Sequence, residues 1–322
     1  MKNSRKLCSG AVATALMTVS GAAFASCGSS FCSLETSLDS QGVSTEPGQF
    51  GLDLRFEFVK QDALRAGNKS ISRTETADEE ATEVKTFNRN LIATLTYALT
   101  PQWGLAASLP FVNRSHAHIV DPAGAAEHES WSFSKLSDAR MFARYQFDRS
   151  HDAPDSSGMQ FGVKLPSGEY KVKNESHQLA ERSLQPGTGT TDVIIGGHYA
   201  YKPAFRQVTY FVSAQYQYAL AKRAGYRAGD QLSLTGGLAY AYADNAAVML
   251  QLNGLNKGRD SGRNAEPDVS GGRYIFASPG VRYAVGKDMQ VYAFAQAPLY
   301  RNVNGIQLTA DWTLVAGVTL KI

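Results

Sequence analysis

The chain has 322 residues, 29 of them glycine and 10% aromatic, and its 32 Lys and Arg against 29 Asp and Glu leave a formal net charge of +3. That surplus is too small to argue for a nucleic-acid or strongly acidic partner. Beyond the N-terminus no stretch approaches the roughly 18 consecutive apolar residues of a transmembrane helix, so any membrane residence has to be through strands.

Lys2, Arg5 and Lys6 precede an apolar, small-residue stretch from Ala11 to Phe24 that ends in Ala23-Phe24-Ala25. This is the pattern of a bacterial secretory signal, so residues 1–25 are set apart as a signal peptide. Cys8 falls inside it, which leaves Cys27 and Cys32. In an oxidising compartment the pair predicts a disulfide around a small loop; a two-thiolate clip for a soft metal and lipidation of Cys27 are the competing readings, the last with a poor lipobox. Residues 26–48 are polar and without period, which predicts a periplasmic or lumen-plugging arm.

From there to the end, 49–322, apolar residues recur at every second position in twelve segments. Side chains of a strand alternate between faces, so each segment has one greasy and one wet face. Phe50, Leu52, Leu54, Phe56 and Phe58 oppose Asp53, Arg55 and Glu57 in the first. Leu91 to Leu99 oppose Asn88, Asn90, Thr94 and Thr96 in the second, and Trp103 to Phe111 oppose Ser108, Arg114, His116 and His118 in the third. The fourth sets Met141, Ala143, Tyr145 and Phe147 against Asp138, Arg140 and Arg144; the fifth sets Phe161 and Val163 against Gln160 and Lys164. The sixth to tenth continue likewise, with Asp192, His198, Ser213, Gln217, Thr235, Gln251, Asn253, Ser278 and Arg282 on the wet side. In the eleventh the phase is ambiguous: Val291, Ala293 and Ala295 alternate with Tyr292, Phe294 and Gln296. The twelfth, Leu308 to Ile322, is the most regular. Its Trp312 and Leu314 are assigned to lipid, Asp311 and Lys321 to the interior.

Connections alternate between short breaks and longer polar stretches, and Tyr97, Trp103, Tyr145, Phe147, Tyr199, Tyr201, Tyr240, Tyr242 and Tyr283 gather beside the short ones. Short turns at one end, long loops at the other, an even strand number and an aromatic girdle predict an all-β, antiparallel up-and-down transmembrane β-barrel of about twelve strands in the bacterial outer membrane. A soluble β-sandwich gives no reason for those rings to collect at one end.

The wet faces then line a lumen. Its candidate solute-binding residues are Arg55, Glu57, Asp138, Arg140, Arg144, Lys164, His198, Arg282, Tyr292, Phe294 and Gln296. Both signs are interspersed, so the charges read first as ion pairs bracing the wall, and second as a polar track for a solute. If the eleventh segment keeps its phase, Tyr292, Phe294 and Tyr300 form an aromatic wall beside Gln290 and Gln296. His116 and His118 share a face near the outer rim at a metal-compatible spacing, but without a third ligand they read as solvated rim histidines. No outward Ser-His pair emerges for a lipid hydrolase, and no cofactor is implied. The partners expected are the lipid bilayer, the barrel-assembly machinery and a small-molecule solute, with no nucleic acid. A closed structural or adhesive barrel, or a metal-linked one using the cysteine arm, is the alternative.

Lys164-Leu-Pro-Ser-Gly168, Gln185-Pro-Gly-Thr-Gly-Thr-Thr-Asp192, Ser278-Pro-Gly-Val-Arg-Tyr283, Gln296-Ala-Pro-Leu-Tyr300 and Asn304-Gly305 together resemble a family of bacterial outer-membrane transporters named for the meta-pathway of phenol degradation. The resemblance covers about half the chain, from Gly162 onward, and implies a twelve-stranded barrel passing small, often aromatic, hydrophobic molecules. The chain departs from that family's usual aromatic C-terminus by ending in Lys321-Ile322, and Cys27 to Cys32 find no counterpart in the pattern.

Overall fold

A computed structural model describes Leu34, Thr36 and residues 47–73, 81–120, 127–147, 153–204 and 207–322. The strands are β1 (Phe50–Ala66), β2 (Lys69–Ser70), β3 (Ala81–Ala98), β4 (Trp103–Val120), β5 (Glu127–Leu136), β6 (Arg140–Gln146), β7 (Asp155–Lys164), β8 (Asp192–Tyr201), β9 (Val208–Ala219), β10 (Gln231–Ala243), β11 (Ala246–Lys257), β12 (Gly272–Val285), β13 (Met289–Val303) and β14 (Ile306–Lys321). All pairings are antiparallel and follow the chain order, except that β3 passes over β2 to pair with β1 and β6 passes over β5 to pair with β4, and β14 returns to β1 from Gly51↔Lys321 to Ala66↔Ile306. With β5 and β6 counted as one interrupted span and β2 as a short appendage of β1, the result is a closed twelve-stranded barrel. Around the apolar band closure leaves no free edge, which is what a sheet needs in lipid, where no water can satisfy an orphaned backbone group, while above that band β5 pairs with β4 alone among the described strands.

The alternation explains the placement of side chains. Leu91, Leu95, Leu105, Leu109, Phe161, Ile195, Leu234, Leu250, Val281 and Leu314 are exposed on the outside, while Glu57, Asn88, Asn90, Gln251, Asn253 and Ser278 are fully buried inside. This inversion of a soluble core, polar within and apolar without, is the signature of the fold. The rings beside the short turns do lie at one rim: Phe50 meets Tyr97 at 4.4 Å, and Trp103 meets Tyr145 at 4.9 Å. An aromatic patch not read in the sequence lies toward the other rim, where Trp312 lies tilted 5.2 Å from Phe58 and the Arg89 guanidinium covers Phe58 and Phe87.

Three expectations need correction. The stretches read as outer loops after the first and third segments, Asp62 to Lys85 and Val120 to Ser130, are partly strand, because β1, β3, β4 and β5 continue past the apolar band to Ala66, from Ala81, to Val120 and from Glu127. Above the lipid both faces turn polar, so the alternation that reveals a strand is lost. Tyr300 faces outward beside Ile275: a bulge between Ile275 and Phe276 leaves Leu299 unpaired and flips the phase of everything after it. A bulge likewise takes Asp311 out of the inward set: the register passes from Lys60↔Trp312 to Gln61↔Ala310, which leaves Asp311 without a partner on β1, and its carboxylate lies 3.6 Å from the Lys60 ammonium.

Candidate lumen site

The interior is layered along the barrel. Nearest the short turns, Ala200, Phe211, Ala239, Met249, Tyr292, Phe294 and Val315 form an apolar cluster on the inner wall, and Leu34 of the arm is buried within it. The eleventh segment therefore turns Tyr292 and Phe294 inward, with Gln296 two residues on. Glycines on adjacent strands let the rings lie flat: a Cβ at Gly280 would meet Phe294 at 2.1 Å, and one at Gly317 would meet Tyr292 at 2.4 Å. Phe211 and Met249 were not singled out in the sequence, although both keep the phase of inward Ser213 and Gln251. An apolar residue at an inward position was the signal.

Above this lies a polar belt. Gln296 donates to Ser278 at 3.1 Å, Ser278 to Asn253 at 2.7 Å and Asn253 to Thr235 at 3.1 Å, a rung crossing β13, β12, β11 and β10. On the facing wall Arg55 pairs with the fully buried Glu57 at 3.1 Å and donates to Thr36 of the arm at 2.8 Å. Asp53 accepts from the Tyr292 hydroxyl at 3.0 Å and from Thr319 at 2.9 Å. Arg140 is within electrostatic range of Asp138 and Asp192 on its own side and of Arg55 and Glu57 on the other. His198 meets Gln146 at 3.2 Å. Arg144, opposite Gly104 and Gln160, and Arg282, opposite Ala247 and Tyr292, keep the inward phase.

The third layer is built by the segment between β7 and β8. Lys164, with 4% of its side chain exposed, bridges Asp138 and Asp192 at 3.1 Å each. Asp138 also accepts from the backbone of Gly168 at 3.0 Å and of Thr188 at 2.8 Å, while Asp192 accepts from Gln217 at 2.6 Å. Thr188 and Thr190 complete the contacts of the ammonium group. Buried charges persist only when paired and hydrogen-bonded in this way. The cluster ties down both ends of residues 165–191, which fold back as a strap on the inner faces of β4 and β5. There Val172 packs with Val112 and Phe133, and Ala180 and Leu184 pack under Trp131. Arg114 donates to the Leu184 carbonyl and Trp131 to that of Gln178. Beneath the strap, His116 contacts Thr86 at 2.8 Å and His118 contacts Glu129 at 2.7 Å, with His116 tilted against Trp131 and His118 edge-on to it. They are thus buried supports, not solvated rim histidines. Among the described residues no group of three His, Cys, Asp or Glu is placed to hold a metal. Cys27 and Cys32 lie outside the described residues.

Two of the five motifs of the family resemblance meet at this strap. Lys164-Leu-Pro-Ser-Gly168 and Gln185-Pro-Gly-Thr-Gly-Thr-Thr-Asp192 supply the lysine, an aspartate and both threonines, and a Cβ at Gly187 would meet the backbone of Gly168 at 2.6 Å. No third atom fits between these two backbones.

No protein-family model matches the sequence, and no curated protein does either. Solved structures do match in fold. The COG4313 outer membrane channel from Pseudomonas putida F1 superposes with a TM-score of 0.67 at 14% identity, covering 87% of this chain and 97% of that one. The NanC porin follows with a TM-score of 0.45 at 10% identity, covering 84% of this chain and 100% of that one. A Pseudomonas aeruginosa FadL homologue scores 0.42 at 9% identity, covering 85% of this chain and 90% of that one. The aromatic girdle, the inside-out polarity, the closed twelve-stranded ring and the first of these likenesses agree: the chain is a twelve-stranded outer-membrane β-barrel.

Proposed function

We propose that this barrel passes small hydrophobic or aromatic solutes across the outer membrane, without energy coupling and without enzymatic chemistry, as the resemblance to the phenol meta-pathway family implies. The observation that carries the reading is the apolar cluster around Phe211, Met249, Tyr292 and Phe294, which lines the inner wall below the polar belt. A purely structural barrel could fill that volume with hydrogen-bonded polar side chains, as its middle layer does. An apolar wall in a wet passage costs hydration and returns it when an apolar solute docks. Arg140 and Arg144, in the polar belt, present donors to the polar end of such a solute. The competing reading, a closed structural or adhesive barrel, draws on the strap and Leu34, which pack against the inner wall.

Liposome swelling decides between them. Channels reconstituted from the full-length protein should admit small aromatics, and Arg140→Gln or Arg144→Gln should slow uptake severalfold. A barrel impermeable to a whole panel of aromatics rejects transport and leaves the structural reading.

A further inference from the structure

Leu34 and Thr36 enter the lumen from outside the sheet, and the contacts they make are those of a ligand. Leu34 is 7% exposed, buried among Phe211, Met249, Tyr292, Phe294 and Val315. Two residues on, the neutral Thr36 hydroxyl accepts from the Arg55 guanidinium at 2.8 Å. Seat and head position are one site: Tyr292, a wall of the seat, donates to Asp53, two positions from Arg55 on the same inward face. Arg55 already pairs with Glu57 at 3.1 Å, so toward Thr36 it presents a donor and not an uncompensated charge.

We propose that these two arm residues are an internal stand-in for the solute. The site they fill binds a compact apolar molecule carrying one neutral hydroxyl or carbonyl oxygen, which enters by displacing them. The proposal rests on the channel reading above and adds to it the chemistry of the solute and a built-in competitor. The leucine side chain reports the size of the apolar body, one ring or one branched aliphatic group. The threonine hydroxyl reports the head, held by the Arg55 guanidinium. A carboxylate head would sit beside Asp53 and Glu57 and is disfavoured; a hydrocarbon with no head would leave the Arg55 donor without the acceptor it has in the resting protein.

The test uses the full-length barrel in detergent, with folded state checked by its heat-modifiable mobility. Benzyl alcohol, toluene and benzoate are titrated calorimetrically against matched detergent blanks. Benzyl alcohol should bind most tightly, and Leu34→Ala, by removing the competitor's buried side chain, should tighten it about tenfold. Thr36→Val should tighten it by a smaller factor. Equal affinity of folded Leu34→Ala and wild type, or preference for benzoate, overturns the proposal, as does failure of both proteins to bind benzyl alcohol. If Leu34→Ala changes nothing while liposomes still admit aromatics, the stand-in fails and the channel reading survives. If it tightens binding while no liposome swells, the site stands and the channel reading falls.

Discussion

At the scale of the residue, this lumen is organised by what glycine permits. Phe294 lies over Gly280, Tyr292 over Gly317, Phe211 over Gly237 and Phe142 over Gly162, each with its ring where a Cβ would be, at 2.1 to 2.5 Å. A large inward side chain on one strand needs an empty position on the next; otherwise it stands up into the passage. Gly280→Ala should therefore push the Phe294 ring off the wall. The expected cost is about 1–3 kcal/mol of strain, together with a lower single-channel conductance. Urea unfolding and planar-bilayer recording read the two effects, and an unchanged conductance would show that the ring can relax along the wall. This pattern is half legible in the sequence. The inward phase of Phe294 follows from counting once the strand is known, but its ring could equally have been a lipid anchor, and only the glycine opposite, set by register, decides. Tyr300 and Asp311 show the limit: a single bulged residue reverses the count, and nothing in the local composition marks it.

Elements carry a different lesson. The strands were readable because lipid imposes a period on them, whereas the outer connections fold by contacts with no period. Residues 165–191 look like a polar loop, yet they hold a buried lysine between two buried aspartates. Lys164→Met should leave Asp138 and Asp192 buried without their counter-charge and cost about 3–5 kcal/mol, measured by urea unfolding. Restoring neutrality with Asp138→Asn and Asp192→Asn in the same chain should recover part of it, and failure to recover would assign the loss to packing.

The next two outer connections interlock. Asp260 accepts from the Tyr226 hydroxyl at 2.8 Å and from the Gly229 amide at 2.8 Å, and Arg182 of the strap covers the Tyr226 ring at 4.8 Å. Burial holds the Tyr226 hydroxyl well above its usual range, so it stays a donor. Glu266 is buried in the same assembly near Asp260, and burial first and that charge second push its carboxyl up to about 7. A raised folded-state value means the folded loop holds a proton that the unfolded loop, near 4.5, releases. The stabilisation is fully present below about pH 4.5 and is lost as pH rises through about 7. Hydrogen-exchange protection factors across 258–271, each taken relative to the intrinsic rate at the same pH, should fall between pH 5 and 8 in the wild type and stay flat in Glu266→Gln. A slope that persists in the variant would place the titrating group elsewhere.

Across the whole molecule the wall is uneven. β1, β3 and β4 run 17, 18 and 18 residues, whereas β7 and β8 run 10 each. The chain steps down at the interruption between β5 and β6. There β5 pairs with β4 alone among the described strands, because β7 ends at Lys164 and the strap takes over. An unpaired strand edge is a template for another chain, and here it is shielded from within, through Trp131, Gln178 and Pro186. One segment thus does two jobs, narrowing the outer half of the passage and covering the one open edge of the ring. Both are testable together, because the Gly187 amide donates to the Glu169 carbonyl at 2.8 Å, so the strap's ends lie side by side and a short linker can join them. Replacing 171–183 by Gly-Gly-Ser keeps Lys164, Thr188 and Asp192 in place. The barrel should still show heat-modifiable mobility, conduct severalfold better, and form cross-linkable oligomers through the uncovered edge of β5. Better conductance without oligomers would confine the strap to the passage, and oligomers without a change in conductance would confine it to the edge. A folded barrel altered in neither respect would mean the constriction lies lower, at the apolar cluster that Leu34 occupies.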